Sequence, residues 1–172
     1  MTREIVVPDS NLRALLLESG LYAVAEDEQP CALILNPRVS SDETDIWRAA
    51  EDVIVETFAA ARDFFLQALE RSEVYGHLII LTPANCAMGD PHDLGGSVLT
   101  GALISLKRTF ALEFIKHGFT ANCIFVGYRD KDILDLETLV RTIRLLAEQP
   151  GATITGQEIF LAAGLESGRL KP

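Results

Sequence analysis

An α/β fold, a parallel sheet covered by helices, is predicted by three observations. Short apolar runs alternate with longer stretches of helical period along the chain. The runs Ala32-Leu33-Ile34-Leu35 and Leu78 to Leu81 are continuous and apolar, as in strands buried on both faces. No repeat, low-complexity tract or Pro/Ser-rich linker interrupts the 172 residues, so they read as one domain.

The elements follow in order. Ile5-Val6-Val7 reads as a first short strand. Asp9 or Ser10 then caps a helix through Leu12, Leu15, Leu16 and Glu18, which Gly20 stops. Tyr22 to Ala25 is a second, weak strand candidate, and Ala32 to Leu35 a strong one. A long helix is expected over 45–69, where Trp47, Ala50, Ile54, Phe58, Ala61, Phe65 and Ala68 step by three or four along one face. Leu78 to Leu81 leads into a Gly/Pro/Asp-rich loop ending at Gly95-Gly96. The next helix, 97–117, is apolar nearly all round in its first half, so two partners must cover it. Gly118 ends it. Ala121 to Val126, Leu136 to Ala147 and Glu158 to Ala162 complete the pattern as strand, helix and strand.

Composition removes several classes of function. Hydrophobic residues make up 48% and charged residues 23%, as in soluble globular proteins. Fifteen Lys+Arg against 25 Asp+Glu give a formal charge of −10. No Lys/Arg cluster forms the basic face that nucleic acid or an anionic membrane requires. Three cysteines, without a secretory apolar segment, point to a reducing cytoplasm.

Ala102-Leu103-Ile104-Ser105-Leu106-Lys107-Arg108, then Ala111-Leu112-Glu113, His117-Gly118 and Asn122 to Gly127, form a specific run. Ile154-Thr155-Gly156-Gln157, a strand and Gly164 follow it in step. Over roughly 32–164 the chain resembles the second half of a short-chain dehydrogenase/reductase. That resemblance implies a three-layer Rossmann-like parallel sheet with helices on both faces, its nucleotide-binding half reduced. Residues 1–172 are then a single truncated domain of this kind.

Aligned on those motifs, the catalytic tetrad of the family is vacant. Its tyrosine falls on Gly96, its lysine on Thr100, its serine on Pro83 and its helix asparagine near Glu56. None of these can take over the corresponding acid–base role. The glycine-rich phosphate turn is replaced by Val7-Pro8-Asp9-Ser10-Asn11-Leu12-Arg13, which has no glycine and sets an acid near the phosphates. The interval from Val7 to Ala32 is too short for the family's full nucleotide half. No NAD(P) is therefore expected in this chain, and any nucleotide is expected in a partner subunit.

Other candidates have plainer readings. His92 with Asp90 and Asp93 reads as a solvated loop before a metal or acid–base group. Cys31 and Cys123 read as buried thiols, and Cys86 is the cysteine to test for reactivity. No metal site is expected. The resemblance implies an oligomer interface on the two long helices, through Ile54, Phe58, Ala61, Phe65, Val98, Leu99, Ala102, Leu103, Leu106 and Phe110.

The leading expectation is a catalytically silent subunit packed against a competent dehydrogenase/reductase, a homologous chain, in a hetero-oligomer. Homodimers or tetramers of this chain are the other expected assemblies. A competing reading is a self-associating module that holds a small apolar ligand in the space left by the absent tyrosine. Another is an active NAD(P)-dependent oxidoreductase with a rearranged site using Thr82, His92 or Cys86.

Overall fold

The apolar runs form the centre of a parallel sheet in the computed structural model, which describes residues 4–18, 30–39, 45–73, 75–129, 132–133, 135–147 and 154–161. Its strands are β1 (Glu4–Val6), β2 (Pro30–Leu35), β3 (His77–Pro83), β4 (Thr120–Val126) and, after a small antiparallel pair β5 (Tyr128–Arg129) and β6 (Asp132–Ile133), β7 (Glu158–Leu161). The five main strands lie in the order β1-β2-β3-β4-β7, all parallel. In β4 every residue is buried, and Leu78 to Leu81 in β3 are fully enclosed. That explains why these segments are apolar without alternation.

Among the described residues four longer helices cover the sheet: α1 (Ser10–Glu18), α2 (Ile46–Glu70), α4 (Leu94–Phe114) and α5 (Leu136–Ala147), with a short α3 (Ala84–Ala87) after β3. Leu12 and Leu16 of α1 and Leu139, Ile143 and Leu146 of α5 pack on Ile34, Ile79 and Ile124. Ala61 and Phe65 of α2 and Leu99, Leu103 and Phe110 of α4 pack on Leu33, Ile80 and Phe125. Successive strand residues thus feed opposite cores, as the pleat requires.

Two departures from the sequence reading matter for the site. The second long helix begins at Leu94 and not at Ser97, because Asp93 caps it: Gly96 N–H donates to Asp93 Oδ1 at 2.7 Å. Gly95-Gly96 is therefore the first helical turn and not the end of a loop. The first helix is capped by Asp9 and not by Ser10, which is its first residue. Gly118, at φ 78°, closes the 3-10 turn Ile115–His117 as expected. The strands run one or two residues beyond the expected limits at several ends, and α3 and the β5–β6 pair had no sequence signal strong enough to predict. The Tyr22 to Ala25 candidate, Gly20 and Ala162 lie outside the described residues. Among those described, no helix is long and apolar enough to cross a membrane.

The layering itself carries a sign of shortening. The strands advance across the sheet in one direction, yet α1 and α5 lie on one face and α2 and α4 on the other. Crossovers on opposite faces then have opposite hands, although right-handed ones dominate by far. In a doubly wound sheet the first helix leads outward to strands 2 and 3, on the far side of strand 1. Here α1 keeps that face, but β2, the next described element, pairs with β1 on the near side.

Candidate functional site

The carboxyl ends of the parallel strands surround a cleft of about 690 Å³, where open α/β sheets hold their ligands. Asp9 follows β1, Asn36 follows β2, Pro83 ends β3 and Tyr128 follows β4, and all four line it. Asp90 and Asp93 also line it, and Arg38 is the one cation among the described lining residues.

Asp9 decides the character of this cleft. Its Oδ1 accepts the N–H groups of Asn11 and Leu12, each at 3.0 Å, and its Oδ2 accepts Asn36 Nδ2 at 2.9 Å. The free N–H groups at a helix N-terminus are what bind a nucleotide pyrophosphate in Rossmann folds. Here a carboxylate of the chain occupies them. Partial burial pulls the Asp9 pKa up, but the N–H of Leu12, Asn36, the N–H of Asn11 and the Arg38 charge outweigh it and hold it below 3.8. The group is ionised at neutral pH and repels a phosphate from the same place.

A polar strut continues from Asp9 across the sheet. Arg38 Nε donates to Asn36 Oδ1 at 3.2 Å, and the guanidinium lies 4.2 Å from the centre of the Tyr128 ring. Burial raises the Tyr128 pKa more than Arg38 lowers it. That phenol stays protonated at neutral pH and is a donor, not a base. Asn36, Arg38 and Tyr128 belong to no site motif in the sequence. The usable signal was position: each lies just past an apolar strand, at the carboxyl end of the sheet.

The four positions on which the resemblance sets the tetrad are occupied as follows. Gly96 is buried in the first turn of α4, and a Cβ placed there would collide with the Asp93 carboxylate. The Asp93 helix cap thus occupies the space directly beside Gly96. Thr100 is buried with its Oγ1 2.6 Å from Thr82 Oγ1, so the hydroxyl nearest the serine position is consumed in tying β3 to α4. Pro83 lines the cleft without a polar side-chain atom, and Glu56 is exposed on α2 beside a smaller hollow of about 280 Å³.

Cys86 does not fulfil its reactive reading. It is buried, and its Sγ lies 3.4 Å from Asp93 Oδ2. Burial, with the Asp93 and Asp90 charges adding to it, pushes its pKa up to about 12. Burial does the same for Cys123, again to about 12. In the native chain Cys86 and Cys123 are expected to resist iodoacetamide at pH about 8, where a free thiol near 8.5 reacts readily. Peptide mapping after alkylation checks this, and fast labelling of Cys86 would contradict the burial. His92 is exposed, its own N–H bonded to Asp90 Oδ1. Among the described residues no three His, Cys, Asp or Glu side chains converge to hold a metal ion.

The expected interface residues divide in two. Ala61, Phe65, Leu99, Leu103 and Phe110 are enclosed in the chain's own core and have no surface to offer a partner. Phe58 is exposed, and Ile54, Val98, Ala102 and Leu106 keep part of their surface. The resemblance set the whole apolar face of both helices outside, but these five side chains cover the chain's own sheet.

No protein-family model matches the chain, and no curated protein matches it by sequence. Its fold is shared with solved dehydrogenases. Acetoin dehydrogenase from Enterobacter cloacae superposes with a TM-score of 0.68 at 17% identity, covering 97% of this chain and 75% of that one. A 4-hydroxyisoleucine dehydrogenase complexed with NADH and succinate gives 0.67 at 22% identity, over 93% and 79%. Sorbitol-6-phosphate 2-dehydrogenase from Erwinia amylovora gives 0.66 at 14%, over 79% and 68%. The chain has a Rossmann-like fold of the short-chain dehydrogenase type, in shortened form.

Proposed function

We propose that this chain is a catalytically silent subunit that packs against a competent dehydrogenase/reductase of the same fold, which supplies nucleotide and catalytic residues. The observation that carries this reading is the Asp9 carboxylate seated on the N-terminus of α1, in the place a pyrophosphate needs. The glycine, threonine, proline and glutamate at the tetrad positions agree with it. The fold around them is intact, and apolar side chains such as Leu112 and Ile115 stay exposed at the end of α4 and the turn after it. A protein kept for chemistry would retain the donor and base. A protein kept for assembly needs only its scaffold and surface.

Titration of the purified chain with NADH and with NADPH, followed by nicotinamide fluorescence, tests this. No saturable change is expected up to about 1 mM, an affinity ceiling of about −4 kcal/mol. Micromolar binding by the isolated chain would overturn the proposal and revive an active oxidoreductase with a rearranged site. A second reading, a homo-oligomeric module for a small ligand, draws on the open cleft. Its ligand must lack phosphate, for the reason given at Asp9.

A further inference from the structure

The cleft at the carboxyl ends of the strands repels phosphate, but its walls are far from neutral. Asp9, Asp90 and Asp93 stand there against one cation among the described lining residues, Arg38. That cation is committed at one end of the space. It donates to Asn36, lies over the Tyr128 ring and lowers the pKa of Asp9. The Asp93 and Asp90 charges act at another place, on the Cys86 thiol, where they add to the effect of burial. A concave wall of low polarity concentrates such a field.

Asp93 has capacity for a charged donor. Its Oδ1 accepts the Gly96 N–H at 2.7 Å, whereas among the described residues its Oδ2 is met by the Cys86 thiol at 3.4 Å, a weak donor. No ion pair among the described residues includes it, and it is exposed to the cleft's solvent. Asp90 beside it accepts Asn85 Nδ2 and the His92 N–H, both neutral groups. Apolar surface completes the space: Leu12, Leu15, Pro83 and Ile133 line it, and Leu15 leaves 38% of its surface uncovered. Apolar walls with a few polar groups, around a volume of about 690 Å³, are the features of a small-molecule site.

We propose that this cleft binds a small organic amine in its protonated form, with the ammonium on Asp93 and Asp90 and the apolar body against Leu12, Leu15 and Ile133. An ammonium brings three donors and the missing charge to carboxylates that hold neutral partners. A metal ion fits less well, since among the described residues no three His, Cys, Asp or Glu side chains converge. The proposal rests on the small-ligand reading of the cleft and not on how the chain assembles.

The test is calorimetric titration of the full chain with three probes of one shape: phenylpropylamine, phenylpropanol and phenylpropionate. At neutral pH the amine is cationic, as a lysine side chain is at any pH below about 10. It is expected to bind at least about tenfold more tightly than the alcohol, and the carboxylate more weakly than either. Asp93→Asn keeps a side chain able to cap α4 but removes the charge. It is expected to weaken the amine at least about tenfold and to leave the alcohol unchanged. Glu113→Gln, exposed on α4 and not a lining residue, alters the net charge equally and is expected to change neither. Alcohol binding as tight as that of the amine, or full amine affinity in Asp93→Asn, or an equal loss in Glu113→Gln, would overturn the cation site and leave the small-ligand reading standing. No binding of any of the three probes would overturn both.

Discussion

Phe65→Ala is expected to lower the unfolding free energy by about 3–5 kcal/mol, the range for deleting a large aromatic ring from a packed core. The ring is fully enclosed, with the rings of Phe64, Phe110, Phe114 and Phe119 at centroid distances between 4.6 and 5.5 Å. These neighbours come from α2 itself, from α4 and from the segment entering β4, so one side chain joins two helices to the sheet. The sheet beneath is held by strand hydrogen bonds and cannot move into the space. For a chain of this length the loss corresponds to a fall in Tm of about 6–20 °C. Phe58→Ala, two turns earlier on the same helix, is the control. Its ring is exposed on one side and touches Phe110 at 5.8 Å, so about 1.5 kcal/mol or less is expected. Urea unfolding with unchanged m-values measures both. Similar costs for the two would mean that the aromatic cluster is not what fastens the helices.

That contrast also shows how far the sequence could be read. Phe58 and Phe65 lie on one helical stripe and look alike in periodicity, yet one is core and the other is surface. A period of 3.6 fixes which face is apolar. What covers that face depends on the strands and helices that arrive from elsewhere in the chain. The same limit explains the order of reliability among the elements. Strands buried on both faces, such as Ile79-Ile80 and Ala121 to Val126, are legible because nothing but apolar residues is tolerated there. The start of α4 was misplaced because glycines suggested a turn, whereas Asp93 made a helix cap that overrode them.

The site was legible mainly by subtraction. Residues 7–13 hold no glycine, and Gly96 and Thr100, on which the resemblance sets the tyrosine and lysine, lie in α4. What replaced them was not legible. Asp9, Asn36, Arg38 and Tyr128 are far apart in sequence and meet only because parallel strands bring their carboxyl ends together. Lys107 was hidden in the same manner: within a helix of ordinary appearance it is completely buried, because its partners arrive from β7 and the turn before it.

The Lys107 contact leads to the second large effect, in which Glu158→Gln is expected to cost more than Lys107→Met. Lys107 Nζ donates to Gly156 O at 2.7 Å and to Glu158 Oε1 at 3.0 Å, with its side chain wholly out of water. Glu158 keeps some exposure and also accepts Arg108 Nη2 at 2.7 Å. Removing the carboxylate charge leaves a buried ammonium with neutral carbonyl acceptors and no counter-charge, and about 2–4 kcal/mol is expected, reduced from the fully buried case by that exposure. Lys107→Met instead fills the same space with apolar atoms and leaves Glu158 paired to Arg108. Only the Gly156 carbonyl loses its donor, so about 2 kcal/mol or less is expected. The acid limb of the stability curve offers a second readout. Burial raises the Glu158 pKa, but the Lys107 and Arg108 contacts outweigh it and hold it below its ordinary 4.5. A carboxyl with a depressed folded pKa contributes stability that is present above 4.5 and is lost as pH falls through the folded value. Wild type should therefore lose stability on acidification through this group, and Glu158→Gln should lose less over the same range. If Lys107→Met proves the more damaging change, the ammonium is not dependent on Glu158, and the turn at Gly156 is held to α4 by its carbonyl alone.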